Sequence, residues 1–344
     1  MKHYPTLTLG SGGLPFCFLI LLTGSLATSC STEVELEGPW KDIPVVYGFL
    51  ALQDTAHYIR VEKAFLPADG DAREVAQLPD SLYYDKASVQ LEKIETGELF
   101  DLRRVDGNRE GYPRDEGLFA RSPNYLYKIR AAAIQLEGGE PVRLRINRGE
   151  SLPLVTAETR VLSELIPRST SPGSPINMAY DRQINFAWSA GPEAEIFDVR
   201  LQIHYLESKP GAPAELEPQV VEWVLDEQLR RSDDAERVSI SILGEDFYIF
   251  LSENIPLRSG VIRVFDHIDL VIAGAGEELV ELLRVNSANL GLSSFQSVPE
   301  YSNLSEGRGI FSSRAFAVRP GMTLRNESLD SLRDGIHTAA LNFR

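Results

Sequence analysis

The chain has 344 residues, of which 34 are Lys or Arg and 50 are Asp or Glu, giving a formal net charge of −16. Acidity of that size argues against a nucleic-acid partner and against a polybasic membrane contact, and it favours a well-hydrated body. Both cysteines, Cys17 and Cys30, fall at the N-terminal end, so the remainder can form no disulfide and no thiolate metal site.

The opening stretch sets the compartment. Lys2 and His3 lead into an apolar run from Leu14 to Leu22 that is too short to span a bilayer, and small residues follow it up to Cys30. That is the layout of a secretory signal covering 1–29. Leu26-Ala27-Thr28-Ser29-Cys30 resembles a bacterial lipobox, which implies lipidation at Cys30. The blander alternative is a plain signal-peptidase site after Ala27-Thr28-Ser29. Bacterial lipidation supplies several acyl chains, enough for stable anchoring without a transmembrane helix. Ser31 to Glu37, within a tether at 30–39, resembles the acidic surface-export signals of Bacteroidetes lipoproteins. The expected location is the cell envelope, as an outer-membrane lipoprotein on its periplasmic face or at the cell surface.

The length predicts two domains, and short alternating runs between turns make both mostly β. The first, a β-sandwich at 40–155, takes in a buried first strand from Trp40 to Leu52, then 56–66, 87–93, 98–102, 124–136 and 141–147. A Pro/Ser/Gly-rich stretch marks a junction at 156–176. The second domain, 177–316, holds the clearest strand: Phe197, Val199, Leu201, Ile203 and Tyr205 alternate with Asp198, Arg200, Gln202 and His204. With Trp188 on the preceding strand, this pairing resembles a fibronectin type III or immunoglobulin-like sandwich. Helices are expected at 244–256, closed by Pro256, and at 277–284. Val261–Val264 and Ile268–Ile272 read as separate strands, and 317–344 as a polar tail.

The order of these features, and above all Tyr301-Ser-Asn-Leu…Gly-Arg-Gly-Ile-Phe-Ser-Ser-Arg314, resembles a family of Bacteroidetes cell-envelope lipoproteins of unknown function. Membership would imply association with TonB-dependent outer-membrane transport systems. The family brings no catalytic residues with it. Asp54-Thr55-Ala56, Asp80-Ser81-Leu82 and Asp330-Ser331-Leu332 resemble Bacteroidetes O-glycosylation sites, making Thr55, Ser81 and Ser331 candidate acceptors in turns or tail.

No motif announces chemistry. His-Glu-x-x-His, Gly-x-Ser-x-Gly and phosphate-binding Gly-Lys-Ser/Thr patterns are all missing, so neither a catalytic residue, a metal ligand nor a cofactor is assigned. His57 and His204 read as polar-face strand residues. Asp266-His267-Ile268-Asp269 reads as a charged turn, with cation ligation the sharper alternative. Glu277, Glu278 and Glu281 read as a solvated helix start rather than an acid–base pair. Lys128, Arg130, Arg143, Arg145 and Arg148 form the wet face of a sheet first and a site for an acidic partner second. The resulting expectation is a non-enzymatic, lipid-anchored binding or accessory protein contacting an outer-membrane transporter, another envelope protein or a glycan. Loops 67–82, 106–117 and 207–218 are the candidate contacts, with Tyr112 the leading residue. The rival is a glycan or peptide hydrolase whose carboxylates converge only on folding.

Overall fold

The computed structural model describes residues 42–64, 71–149, 152–168, 175–232, 236–289 and 300–344. Cys30, the signal segment and the tether lie outside them. The described chain is mostly β, as expected, and divides into two apolar cores between Val161 and Leu162.

Seven strands build the first core: Pro44–Leu50 (β1), Ala56–Lys63 (β2), Ser88–Lys93 (β3), Glu98–Asp106 (β4), Tyr125–Arg130 (β5), Pro141–Asn147 (β6) and Val155–Arg160 (β7). Period-two burial along β1, β2, β3 and β6 sends Val46, Ile59, Val61, Leu91, Leu144 and Ile146 inward. Each such aliphatic side chain contributes about 1.5–3 kcal/mol on burial. β4 pairs with β3 through Glu98–Leu102 and with β5 through Arg103–Asp106. The sheet thereby folds over on itself around one core. Its far edge, β7, is capped by residues 303–305: the Ser305 N–H donates to Thr156 O at 2.7 Å, and Ser305 Oγ accepts the Thr156 N–H at 2.8 Å. Covering that edge removes a template for aggregation.

The second core comes from Ile166–Pro167 (β8), Gln183–Ser189 (β9), Ile196–Lys209 (β10), Ala212–Arg230 (β11), Arg237–Leu243 (β12), Arg263–Ala275 (β13) and Arg308–Met322 (β14). Four strands, β11-β10-β13-β14, face three, β12-β9-β8. This four-on-three sandwich agrees with the fibronectin-like expectation. Between the layers Trp188 meets Phe197 edge-on, with ring centroids 5.3 Å apart, and the Gly244–Asn254 helix adds Phe247, Tyr248 and Leu251.

β14 belongs to both halves. Arg308–Ser313 runs parallel to β1, and Arg314–Met322 continues antiparallel to β13. One eleven-stranded sheet results, in the order β11-β10-β13-β14-β1-β2-β5-β4-β3-β6-β7. Phe311 and Leu304 therefore pack in the first core, although their sequence positions fall within 177–316. Gly309 has φ +112°, and a Cβ there would run into Val46 O, so only glycine permits the parallel pairing. Buried Ser313 fastens the joint: its Oγ donates to Leu50 O at 3.0 Å and accepts the Leu162 N–H at 2.9 Å.

Three sequence expectations change. The strands predicted at 261–264 and 268–272 are one continuous β13; a bulge at Asp266 absorbs the polar interruption. The stretch 207–218 is not a loop but the Pro210-Gly211 turn of a tight hairpin. Residues 317–344 are not a polar tail. After β14 they form the Asn326–Asp334 helix, and Leu324, Leu332, Leu341 and Phe343 enter the second core. Their apolar residues are few because they plug an existing core instead of building one. Arg263, 1% exposed, locks the plug in place. It pairs with Glu207 at 2.7 Å and donates to Leu341 O at 2.7 Å and Pro256 O at 2.8 Å.

Truncating the plug tests this packing. Leu332→Ala and Phe343→Ala should each cost about 2–5 kcal/mol in urea unfolding. A loss below about 0.5 kcal/mol, as at an exposed position, would contradict it.

Candidate functional site

Two of the three expected contact loops come together. The Ala72–Ala76 and Pro79–Leu82 helices pack on the 106–121 loop, where Gln77 Nε2 donates to Leu118 O at 2.6 Å and the Ala120 N–H to Ala76 O at 3.0 Å. Leu82, Tyr83 and Ala120 form a small apolar cluster beneath. Leu78, Tyr112, Leu118 and Phe119 stay exposed, Tyr112 to 52%. The Tyr112 ring lies 4.7 Å from that of Tyr58. Fully buried Asn124 pins the loop from below, donating to Tyr112 O at 2.8 Å and Asn108 Oδ1 at 3.2 Å. Arg114 pairs with Glu62, and Glu110 takes hydrogen bonds from Lys128 and from the Tyr58 hydroxyl. Those two donors hold the Glu110 carboxyl below its ordinary range. The loop is thus a braced platform carrying exposed apolar side chains.

A second feature is a 570 Å³ cleft lined from both halves by Glu158 and Arg160 of β7, by Glu193 and Glu195, and by Glu277 and Glu278 of the Glu277–Asn289 helix. Glu158 is matched by Arg143 at 2.7 Å, and Glu193 Oε1 accepts the Ser163 N–H at 2.5 Å. Glu278 differs from the rest. Burial pushes its carboxyl above the ordinary range against the opposing hydroxyls of Ser312, at 2.9 Å, and Thr159; the neighbouring Glu277 adds to the rise. Tyr301 is pushed up to about 12 by burial and by the charges of Glu278, Glu277 and Glu281. A buried carboxyl whose ionisation is disfavoured, next to a second carboxyl, is an arrangement capable of acid–base work. The solvated-helix reading therefore fails for Glu278 and holds for Glu281, which pairs with Arg284 at 2.6 Å.

The other sequence candidates distribute as follows. Cys30 lies outside the described residues. Thr55 is exposed in the β1–β2 turn. Ser81 and Ser331 sit instead in helices, half-buried: Ser81 Oγ donates to Val75 O and Leu78 O at 2.6 Å, and Ser331 Oγ to Glu327 O at 3.0 Å. Among the described residues four of the five basic side chains, all but Arg130, are paired with carboxylates, Lys128 with Glu110. Arg143 and Arg145 share Glu92 at 3.1 and 3.0 Å, and buried Arg148 joins Asp42 and Glu306. His57 is buried rather than on a polar face, and burial lowers its pKa. His337 meets Glu245 at 3.0 Å. Asp266, His267 and Asp269 lie within β13, and strand pairing sets His204 directly opposite His267. That juxtaposition could not be read from sequence spacing, although both histidines occupy outward positions of alternating strands.

No family model and no curated protein matches the chain. Among solved structures, trypsin-activated alpha-2-macroglobulin from Escherichia coli matches at 10% identity and a TM-score of 0.18, over 69% of this chain and 14% of that one. This chain thus spans about a seventh of that protein's length, and the likeness carries no argument. Among the described residues no helix is long and apolar enough to cross a membrane.

The cleft yields a pH test. The folded state holds the Glu278 proton more tightly than the unfolded chain does. The resulting burden on stability is absent below the unfolded pKa, and it grows as pH rises through the raised folded value. Glu278→Gln should therefore raise the melting temperature at pH 8 more than at pH 4. Equal shifts at both pH values would contradict the burial argument.

Proposed function

We propose that this chain is a non-enzymatic binding protein of the cell envelope, held to the membrane by lipid on Cys30 and acting as an accessory to an outer-membrane transporter. The observation that supports this reading is the braced platform at 71–82 and 106–121. It presents Leu78, Tyr112, Leu118 and Phe119 to solvent, while Asn124 and Gln77 hold the carbonyls of Tyr112 and Leu118 and Arg114 pairs with Glu62. Apolar side chains on a pre-ordered loop lose little entropy on docking, and aromatic anchors dominate protein interfaces. The lipid anchor and the transporter association come from the lipobox-like residues and the family resemblance.

A hydrolase is the second reading, and the Glu278–Glu277 pair in the cleft favours it. Under that reading Glu278, whose pKa burial raises, would serve as general acid on a glycan or peptide.

Cys30→Ala should release the protein from membranes into the soluble fraction with its fold intact; unchanged fractionation would refute the anchor. Capture of the anchored protein from its native envelope should recover an outer-membrane transporter, and Tyr112→Ala/Phe119→Ala should cut that recovery at least ~10-fold. Absence of a transporter from the capture, together with release of sugar or peptide that Glu278→Gln abolishes, would transfer the assignment to the hydrolase.

A further inference from the structure

The outer face of the four-stranded layer carries a cluster independent of the platform and the cleft. His204 on β10 and His267 on β13 are direct cross-strand neighbours, and their rings stack 4.3 Å apart at 8°. Asp269 follows two residues later on the same face of β13. Each imidazole presents Nε2 to a different oxygen of that carboxylate, His204 to Oδ2 and His267 to Oδ1, both at 3.4 Å. The two nitrogens and the carboxylate oxygen lie within 4.8 Å of one another.

The surroundings hold two of the three groups in place. His267 Nδ1 lies 3.1 Å from Asp266 Oδ2, the residue pushed out by the bulge. With Nδ1–H donating to that carboxylate, the lone pair of His267 sits on Nε2, on the side of Asp269. The Asp269 carboxylate is itself fixed by the Gly321 N–H of β14, at 2.8 Å from Oδ1. A histidine backed by a carboxylate and a carboxylate backed by an amide are the usual outer supports of metal ligands.

The Nε2 of His204 is sealed from water and makes no hydrogen bond. A cation between the three groups, with one ring turned out of the parallel stack so that both nitrogen lone pairs converge, satisfies both rings and the carboxylate at once. Nitrogen and oxygen ligands held about 2.0–2.1 Å from a tetrahedral ion stand roughly 3.3 Å apart, close to the 3.4 Å between each Nε2 and its Asp269 oxygen. Two imidazoles with one carboxylate select a late first-row divalent ion over calcium or magnesium. No competing positive charge comes from Arg200 on the same face, which is engaged by Asp198 at 2.6 Å and Glu222 at 2.7 Å.

We propose that His204, His267 and Asp269 form a site for a divalent transition-metal ion of the zinc class, supported by Asp266 and the Gly321 amide. Three protein ligands on a solvent-facing sheet leave at least one position for water or for a group from outside the chain. The site lies on two central strands, so its ligands are placed by the register of the sheet.

Titration of the full chain with Zn²⁺, followed by calorimetry, should show one saturable equivalent, and Co²⁺ should give visible absorption of a tetrahedral or five-coordinate complex. His204→Ala and His267→Ala should each weaken Zn²⁺ binding at least ~30-fold, and Asp266→Asn about 10–100-fold through the outer support. His337→Ala, remote from the cluster, should leave it unchanged. Circular dichroism on each variant separates lost ligation from lost folding. If no saturable equivalent binds, or if folded His204→Ala and His267→Ala variants bind as the parent does, the site is wrong.

Discussion

The parallel pairing of β14 with β1 is the constraint on which the architecture rests. Without it, a curled seven-stranded sheet and a four-on-three sandwich would be two bodies joined by a single linker. With it, one strand delivers Phe311 to the first core and Ala315 and Ala317 to the second within a few residues. The demand is local and severe: the carbonyl of Val46 occupies the space a side chain at position 309 would need. Buried Ser313 then joins the backbones of both halves through its single hydroxyl. The cleft follows from this joint, because its walls come from β7 on one side and the Glu277–Asn289 helix on the other. Ser312, next to Ser313 on the same strand, supplies the hydroxyl that faces Glu278.

Much of the fold was legible in the chain. Alternation along Phe197–Tyr205 identified β10, and Trp188 marked its partner layer, because a half-buried strand cannot hide its period. What escaped was long-range. Tyr301–Arg314 stood out as the most distinctive segment, yet nothing in its residues states that it lies beside Val45–Leu50, more than 250 positions earlier. The end of the chain misled because apolar density was read instead of apolar placement. Leu324, Leu332, Leu341 and Phe343 are sparse but each finds the open end of a core. Asp266 suggested a turn because a bulge and a turn share the same local polarity.

The functional features follow the same division. Tyr112 and its loop could be singled out, since glycines and charges betray an exposed connection. Their bracing by Asn124 and by the Ala72–Leu82 segment belongs to the fold. Glu278 looked like any acid of a first helical turn until β7 and β14 closed over it. The histidine pair is the clearest case: His204 and His267 are 63 positions apart by numbering and acquire a common point only through the β10–β13 register. Register, not motif, makes that cluster.

Native-state hydrogen exchange on a Gly309→Val variant tests the joint most directly. If β14 makes the two cores one cooperative unit, amides of β3 and β6 in the first core and of β9 and β12 in the second should lose protection together, by a similar free energy. Loss confined to the first core, with β9 and β12 protected as in the parent, would show two independent bodies and contradict the account.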